Sequence, residues 1–157
     1  MDVDPRHFAT EKHKAETIYA RQPSILCPYF NIPVILNSDG FHHLQFSARR
    51  ERNKREQLLK FQLLPFGLEI IRKSGTVQEY RKTMAPVGKK KRDGFVPMKE
   101  VEYWGFAAIV GESKKVRVRV ITRRVGTGNI IFWSVMPHTK LKNGQQKLYA
   151  SDIEDDE

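Results

Sequence analysis

The segment from residue 101 to residue 136 constrains the fold more than any other. Residues 101–110, 115–125 and 130–136 are three runs rich in β-branched and aromatic side chains. Two turn signals separate them, Gly111-Glu112-Ser113-Lys114 and Gly126-Thr127-Gly128-Asn129. Strands joined by loops this short are antiparallel neighbours. With four residues in each loop, Val116 opposes Ile109, Val118 opposes Ala107 and Val120 opposes Gly105. Across the second hairpin Val120 opposes Val135, Thr122 opposes Trp133 and Arg124 opposes Ile131. That register gathers Val116, Val118, Val120, Ile109, Val135 and Trp133 on one face, ready to receive helices. The other face then carries Trp104, Phe106, Arg117, Arg119, Arg123, Phe132, Ser134 and His138.

The N-terminal half supplies the helices. Residues 10–21 favour a helix with Thr10 as its cap and Pro23 beyond its end. Residues 32–36 read as a short strand, and Asn37-Ser38-Asp39-Gly40 as a turn. Residues 47–64 have helical composition, stopping at Pro65 and Gly67, with Leu58, Leu59, Phe61, Leu63 and Leu64 available for the core. Residues 68–71 read as another strand. The expectation is an α+β fold in which N-terminal helices pack on a C-terminal antiparallel sheet of about four strands. One domain would span 1–147, with a helical or extended part over 1–39 and a basic loop over 86–98. An acidic flexible tail would follow at 148–157.

Charge narrows the function. Residues 40–147 hold 24 Lys/Arg against 8 Asp/Glu, whereas residues 1–39 hold four against five. The last ten residues have five acids and no base. A basic body predicts an anionic partner, for which nucleic acid is the commonest. The tail would either fray or fold back on the basic surface as a mask. A single cysteine, Cys27, excludes an internal disulfide and a Cys-based zinc site, and its apolar setting suits a buried thiol. No apolar stretch approaches membrane-spanning length, and the N-terminus is not signal-like, so the expected compartment is the cytoplasm.

Chemistry concentrates in Phe41-His42-His43-Leu44-Gln45-Phe46, which runs into Arg49, Arg50, Arg52, Lys54 and Arg55. Histidine exchanges protons near neutrality, and arginine and lysine hold phosphates. Together they would suit RNA cleavage by attack of a ribose 2′-OH on the adjacent phosphate, with His42 or His43 as acid or base and His138 as counterpart. Arg117, Arg119 and Arg123 would stabilise the phosphorane charge. Further contacts to RNA would come from Arg49, Arg50, Lys54 and Arg124, from Lys89, Lys90 and Lys91 of the basic loop, and from Trp104 and Phe132 as stacking platforms. The alternative for either histidine is a plain core or helix-start role. If residues 41–46 open a helix, Phe41, Leu44 and Gln45 share one side, which would turn His43 away from the core more than His42. A two-metal nuclease is disfavoured, because Glu100 and Glu102 are the only close acids in the basic body. Adjacent histidines diverge, so zinc held by His42, His43 and His138 is disfavoured too. No metal or cofactor is expected.

The order of His-bearing segment, basic helix and a sheet ending in Val120-Ile121-Thr122-Arg123-Arg124 and Phe132-Trp133-Ser134-Val135-Met136-Pro137 resembles the barnase–EndoU–colicin–RelE-type nucleases, especially their phage and mobile-element branches. The parallel covers about residues 34–140. The resemblance implies helices on a four-stranded antiparallel sheet, with the active site on the open face. It implies a metal-independent endoribonuclease, often a toxin, whose RNA is in some cases presented by the ribosome. An acidic antitoxin or immunity protein would cover the basic face. His42 or His43 would be the catalytic histidine, Arg117, Arg119 or Arg123 the strand cation, and Ser134 the last-strand hydroxyl. The loop at 86–98 and the acidic tail have no counterpart. Two rival readings use the same residues: a non-catalytic nucleic-acid-binding protein, and an accessory factor that binds an acidic protein.

Overall fold

A computed structural model describes residues 3–113 and 115–138. The acidic tail lies outside the described residues. Three helices and six strands follow in the order α1 (Pro5–Arg21), β1 (Ser24–Cys27), β2 (Ile32–Ile35), α2 (Ser38–Gln45), α3 (Lys54–Lys73), β3 (Glu79–Pro86), β4 (Met98–Val110), β5 (Val116–Val125) and β6 (Ile131–Pro137). The α+β class and the N-terminal helices agree with the sequence reading. The sheet does not: it has six strands in the order β1-β2-β6-β5-β4-β3, and β2 runs parallel to β6.

Local chemistry accounts for the shifted boundaries. The side chain of Asp4 accepts from the Arg6 N–H at 2.9 Å and Pro5 occupies the first turn, so α1 begins there and not at Thr10. Asn37 accepts from the Gly40 N–H at 3.0 Å, which converts the expected turn at 37–40 into the cap of α2. Asn53 caps α3 through the Glu56 N–H at 2.8 Å. That helix runs through Pro65 and absorbs the expected strand at 68–71. A proline inside a helix costs about 3 kcal/mol. Burial of Phe61, Leu64, Leu68 and Ile71, spaced along one stripe, outweighs it at about 1.5–3 kcal/mol per side chain.

The β4–β5 hairpin is one residue out of the expected register. Residues 111–115 all belong to the loop, so Val116 pairs with Val110, Val118 with Ala108 and Val120 with Phe106. A slip of one exchanges the faces. Trp104 and Phe106 therefore point toward the helices, and Ile109 points away from them. In the β5–β6 ladder Val120 opposes Val135 as expected, but Thr122 opposes Phe132 and Arg123 opposes Ile131. The register shift leaves Trp133 as an extra residue on β6, a bulge that turns its indole to the outer face.

Two apolar layers result. The inner layer joins Phe61, Leu64, Leu68 and Ile71 of α3 to Trp104, Phe106, Val118, Val120, Phe132 and Val135. Phe30 stands edge-on to Trp104 with centroids 5.0 Å apart. The outer layer is smaller: Val101, Tyr103, Ile121 and Met136, with Ala85, Val87, Val125 and Trp133 against them. Among the described residues no helix is long and apolar enough to cross a membrane.

Candidate nucleic-acid interface

The site grows from the seam between α2 and β6. His43 is buried there, with its imidazole stacked on the Trp133 indole at 4.1 Å between centroids and 15° between planes. Arg52, also buried, donates from Nε to the His43 carbonyl and from Nη2 to His43 Nε2, both at 3.0 Å. Its backbone N–H bonds Gln45 O at 2.8 Å, and its carbonyl accepts from Gln57 Nε2 at 2.6 Å. The segment between α2 and α3 is thereby folded back and locked. Lys60 of α3, likewise buried, donates to Ser134 Oγ at 2.9 Å and to Val135 O at 3.1 Å. β2 pairs with β6 only through Ile35 and Ile131, so a lysine takes this carbonyl where a strand partner is lacking.

On the far side of Trp133 the Arg123 guanidinium lies 4.3 Å from the indole centroid and 5.8 Å from the Tyr103 ring. His43, Trp133, Arg123 and Tyr103 thus form one column of alternating rings and cation. Burial holds the Arg123 pKa below its ordinary value, and the charge of Asp39 partly restores it. Arg119 crosses the floor left by Gly105 and Ala107, which lack bulky side chains, and pairs with Glu79 at 2.6 Å.

The expected site residues separate into three groups. His42 is exposed and stacks on Phe46 at 4.4 Å. Phe46 bridges to Glu51 and closes the turn that carries Arg49 and Arg50, both exposed. Lys54 is exposed over the Phe8 ring at 4.6 Å, and Arg117, Lys89, Lys90 and Lys91 are exposed as well. The second group is buried on the outer face or at β6: His43, Arg119, Arg123 and Ser134. His43 faces inward and His42 outward, the reverse of the helical-side expectation, because α2 ends at Gln45 and docks its His43 edge on β6. The third group is withdrawn from RNA altogether. Trp104 and Phe132 lie in the helix-covered core and offer no ring face to a base. Arg124 shares their face, where it pairs with Glu102 at 2.6 Å.

His138 is exposed, with its N–H on Arg117 O at 2.9 Å. It stands five residues beyond Trp133, about 16 Å along an extended strand, so the expected histidine pair is not assembled. Sequence reading missed Arg52, Lys60, Tyr103 and Trp133 as members. Lys60 could have been found, since it falls on the buried stripe of α3 with Leu64 and Ile71. Among the described residues no group of three His, Cys, Asp or Glu side chains could hold a metal ion. Comparison with protein-family models, with curated proteins and with solved structures finds no match.

Proposed function

We propose that this chain is an endoribonuclease of the barnase–EndoU–colicin–RelE type that works without metal, with RNA lying over the outer face of β4–β6 and the turn after α2. The observation that carries the reading is the exposed His42 beside the Arg49–Arg50 turn, joined to it through Phe46. A proton carrier next to two cations is what cleavage through a 2′,3′-cyclic phosphate requires at one end of the reaction. The 2′-oxygen attacks phosphorus, the bond to the 5′-oxygen breaks, and a proton passes from the attacking to the leaving oxygen. His42 handles that proton; Arg49 and Arg50 face the phosphate oxygens. His43 seats α2 on Trp133, because its Nε2 is already engaged by Arg52.

A second reading, a protein that binds RNA without cutting it, is favoured by the distance of His138 from this turn. One experiment separates the two. Purified protein is incubated with total RNA in EDTA, with and without ribosomes, and product ends are tested for cyclic phosphate. The ribonuclease reading expects cleavage that survives EDTA and falls about 10²–10⁴-fold in His42→Ala. Salt-dependent binding without cleavage in either arm would establish the binding protein instead.

A further inference from the structure

The sheet register sets Arg81 of β3, Tyr103 of β4 and Arg123 of β5 in one row across three strands. All three side chains emerge on the outer face, since residues paired across a ladder share a face. Tyr103 is 0% exposed, yet its hydroxyl has no hydrogen-bond partner. The same holds for two neighbouring donors, Nε of Arg123 and Nε1 of Trp133. These groups are contiguous, because the Arg123 guanidinium lies against both rings. Well over nine in ten buried polar groups in proteins are paired, so three adjacent donors lacking an acceptor call for an explanation.

What the three share is their need: each is a donor. The nearest carboxylate of the neighbouring row, Glu79, is committed to Arg119. An acceptor supplied from outside would satisfy all three at once. It would carry negative charge, since Arg81 and Arg123 flank the tyrosine. It would present several oxygens, since the donors approach from different residues.

We infer that this row is an oxyanion site that takes one phosphodiester group of an RNA backbone over the Tyr103 hydroxyl, between Arg81 and Arg123. The inference rests on the reading of the outer face as an RNA-binding surface. It assigns Tyr103 and Trp133 to phosphate recognition, a role for which neither residue type is an obvious candidate.

The test uses the full chain and inorganic phosphate as the probe, with the Trp133 indole N–H followed in a proton–nitrogen NMR spectrum and assigned by Trp133→Phe. A saturable shift of that resonance is expected. Tyr103→Phe removes only an unpaired hydroxyl, so it folds, and it weakens phosphate binding about tenfold, the usual worth of a hydrogen bond to a charged group. Arg123→Gln reduces affinity further. An indole resonance that phosphate does not move, or a Tyr103→Phe variant that binds phosphate as tightly as wild type, overturns the site. Cleavage is not the readout: a protein that binds phosphate here but cuts no RNA in EDTA overturns the ribonuclease reading and leaves the site standing.

Discussion

Arg52 donates from Nη2 to Nε2 of His43 across 3.0 Å, and that contact determines which imidazole nitrogen carries the proton. A guanidinium has donors only, so Nε2 must be the accepting nitrogen and the proton of the neutral ring sits on Nδ1. Long-range proton–nitrogen correlation spectra should show His43 as the Nδ1–H tautomer. In Arg52→Leu the tautomer preference is lost, and stability falls by about 2–4 kcal/mol, because a hydrogen-bonded buried group is removed and its partners are stranded. Chemical denaturation measures the second effect.

A methyl group at Gly40 would meet the carbonyl oxygen of Phe132, a backbone atom that cannot swing aside. Replacing a helical glycine by alanine ordinarily gains about 1 kcal/mol. Here overpacking costs about 1–3 kcal/mol and forces α2 away from β6. Gly40→Ala should therefore lower the urea midpoint, and the fluorescence of Trp133, whose ring rests on His43, should change with it.

Glu102 gives a pH dependence of known sign. Burial pushes its carboxyl up, but the Tyr80 hydroxyl at 2.6 Å and Arg124 together outweigh burial and hold it below the usual range. The Tyr80 phenol is raised by the same bond. A carboxyl whose folded pKa is depressed adds stability that is fully present above its unfolded pKa, about 4.3, and is lost as pH falls through the folded value. Glu102→Gln should cost about 1–2 kcal/mol at pH 7. The gap between wild-type and variant melting temperatures should close progressively below about pH 4. A gap that widens there would contradict the assignment.

Lys60 is a buried cation whose observed acceptors, Ser134 Oγ and Val135 O, are neutral. Replacing a buried charge by an apolar side chain of similar length is often near neutral for stability. Lys60→Met should fold, with stability within about 2 kcal/mol of wild type. If the positive potential beneath β6 draws RNA, its affinity falls and the slope of log affinity against log salt shrinks. An unchanged slope would mark Lys60 as purely structural.

How far the sequence could be read depended on whether one element or two settled the outcome. β4, β5 and β6 announced themselves by local composition, and Cys27 proved buried as its apolar neighbours required. β3 did not, because Glu79–Pro86 is half exposed on alternate residues and draws its strand character from pairing with β4. Asn37 and Pro65 misled for the same reason. Turn and cap chemistry are alike at asparagine, and the proline penalty is local while the burial that outweighs it is tertiary. The site was half legible. The basic run and the paired histidines stood out, but which histidine was buried turned on where α2 docked. Whether Trp104 or Trp133 faced outward turned on one extra loop residue and one bulge.

The single parallel pairing of Ile35 with Ile131 also sets an order of assembly. These residues lie about 100 positions apart, and closing so long a loop is slow relative to forming the β4–β5 hairpin. The first hairpin has no sheet to join until β6 exists. A chain emerging from its N-terminus would hold β1, β2 and the apolar stripe of α3 uncovered until its last strand is made. The elements synthesised first are thus the last to find their partners.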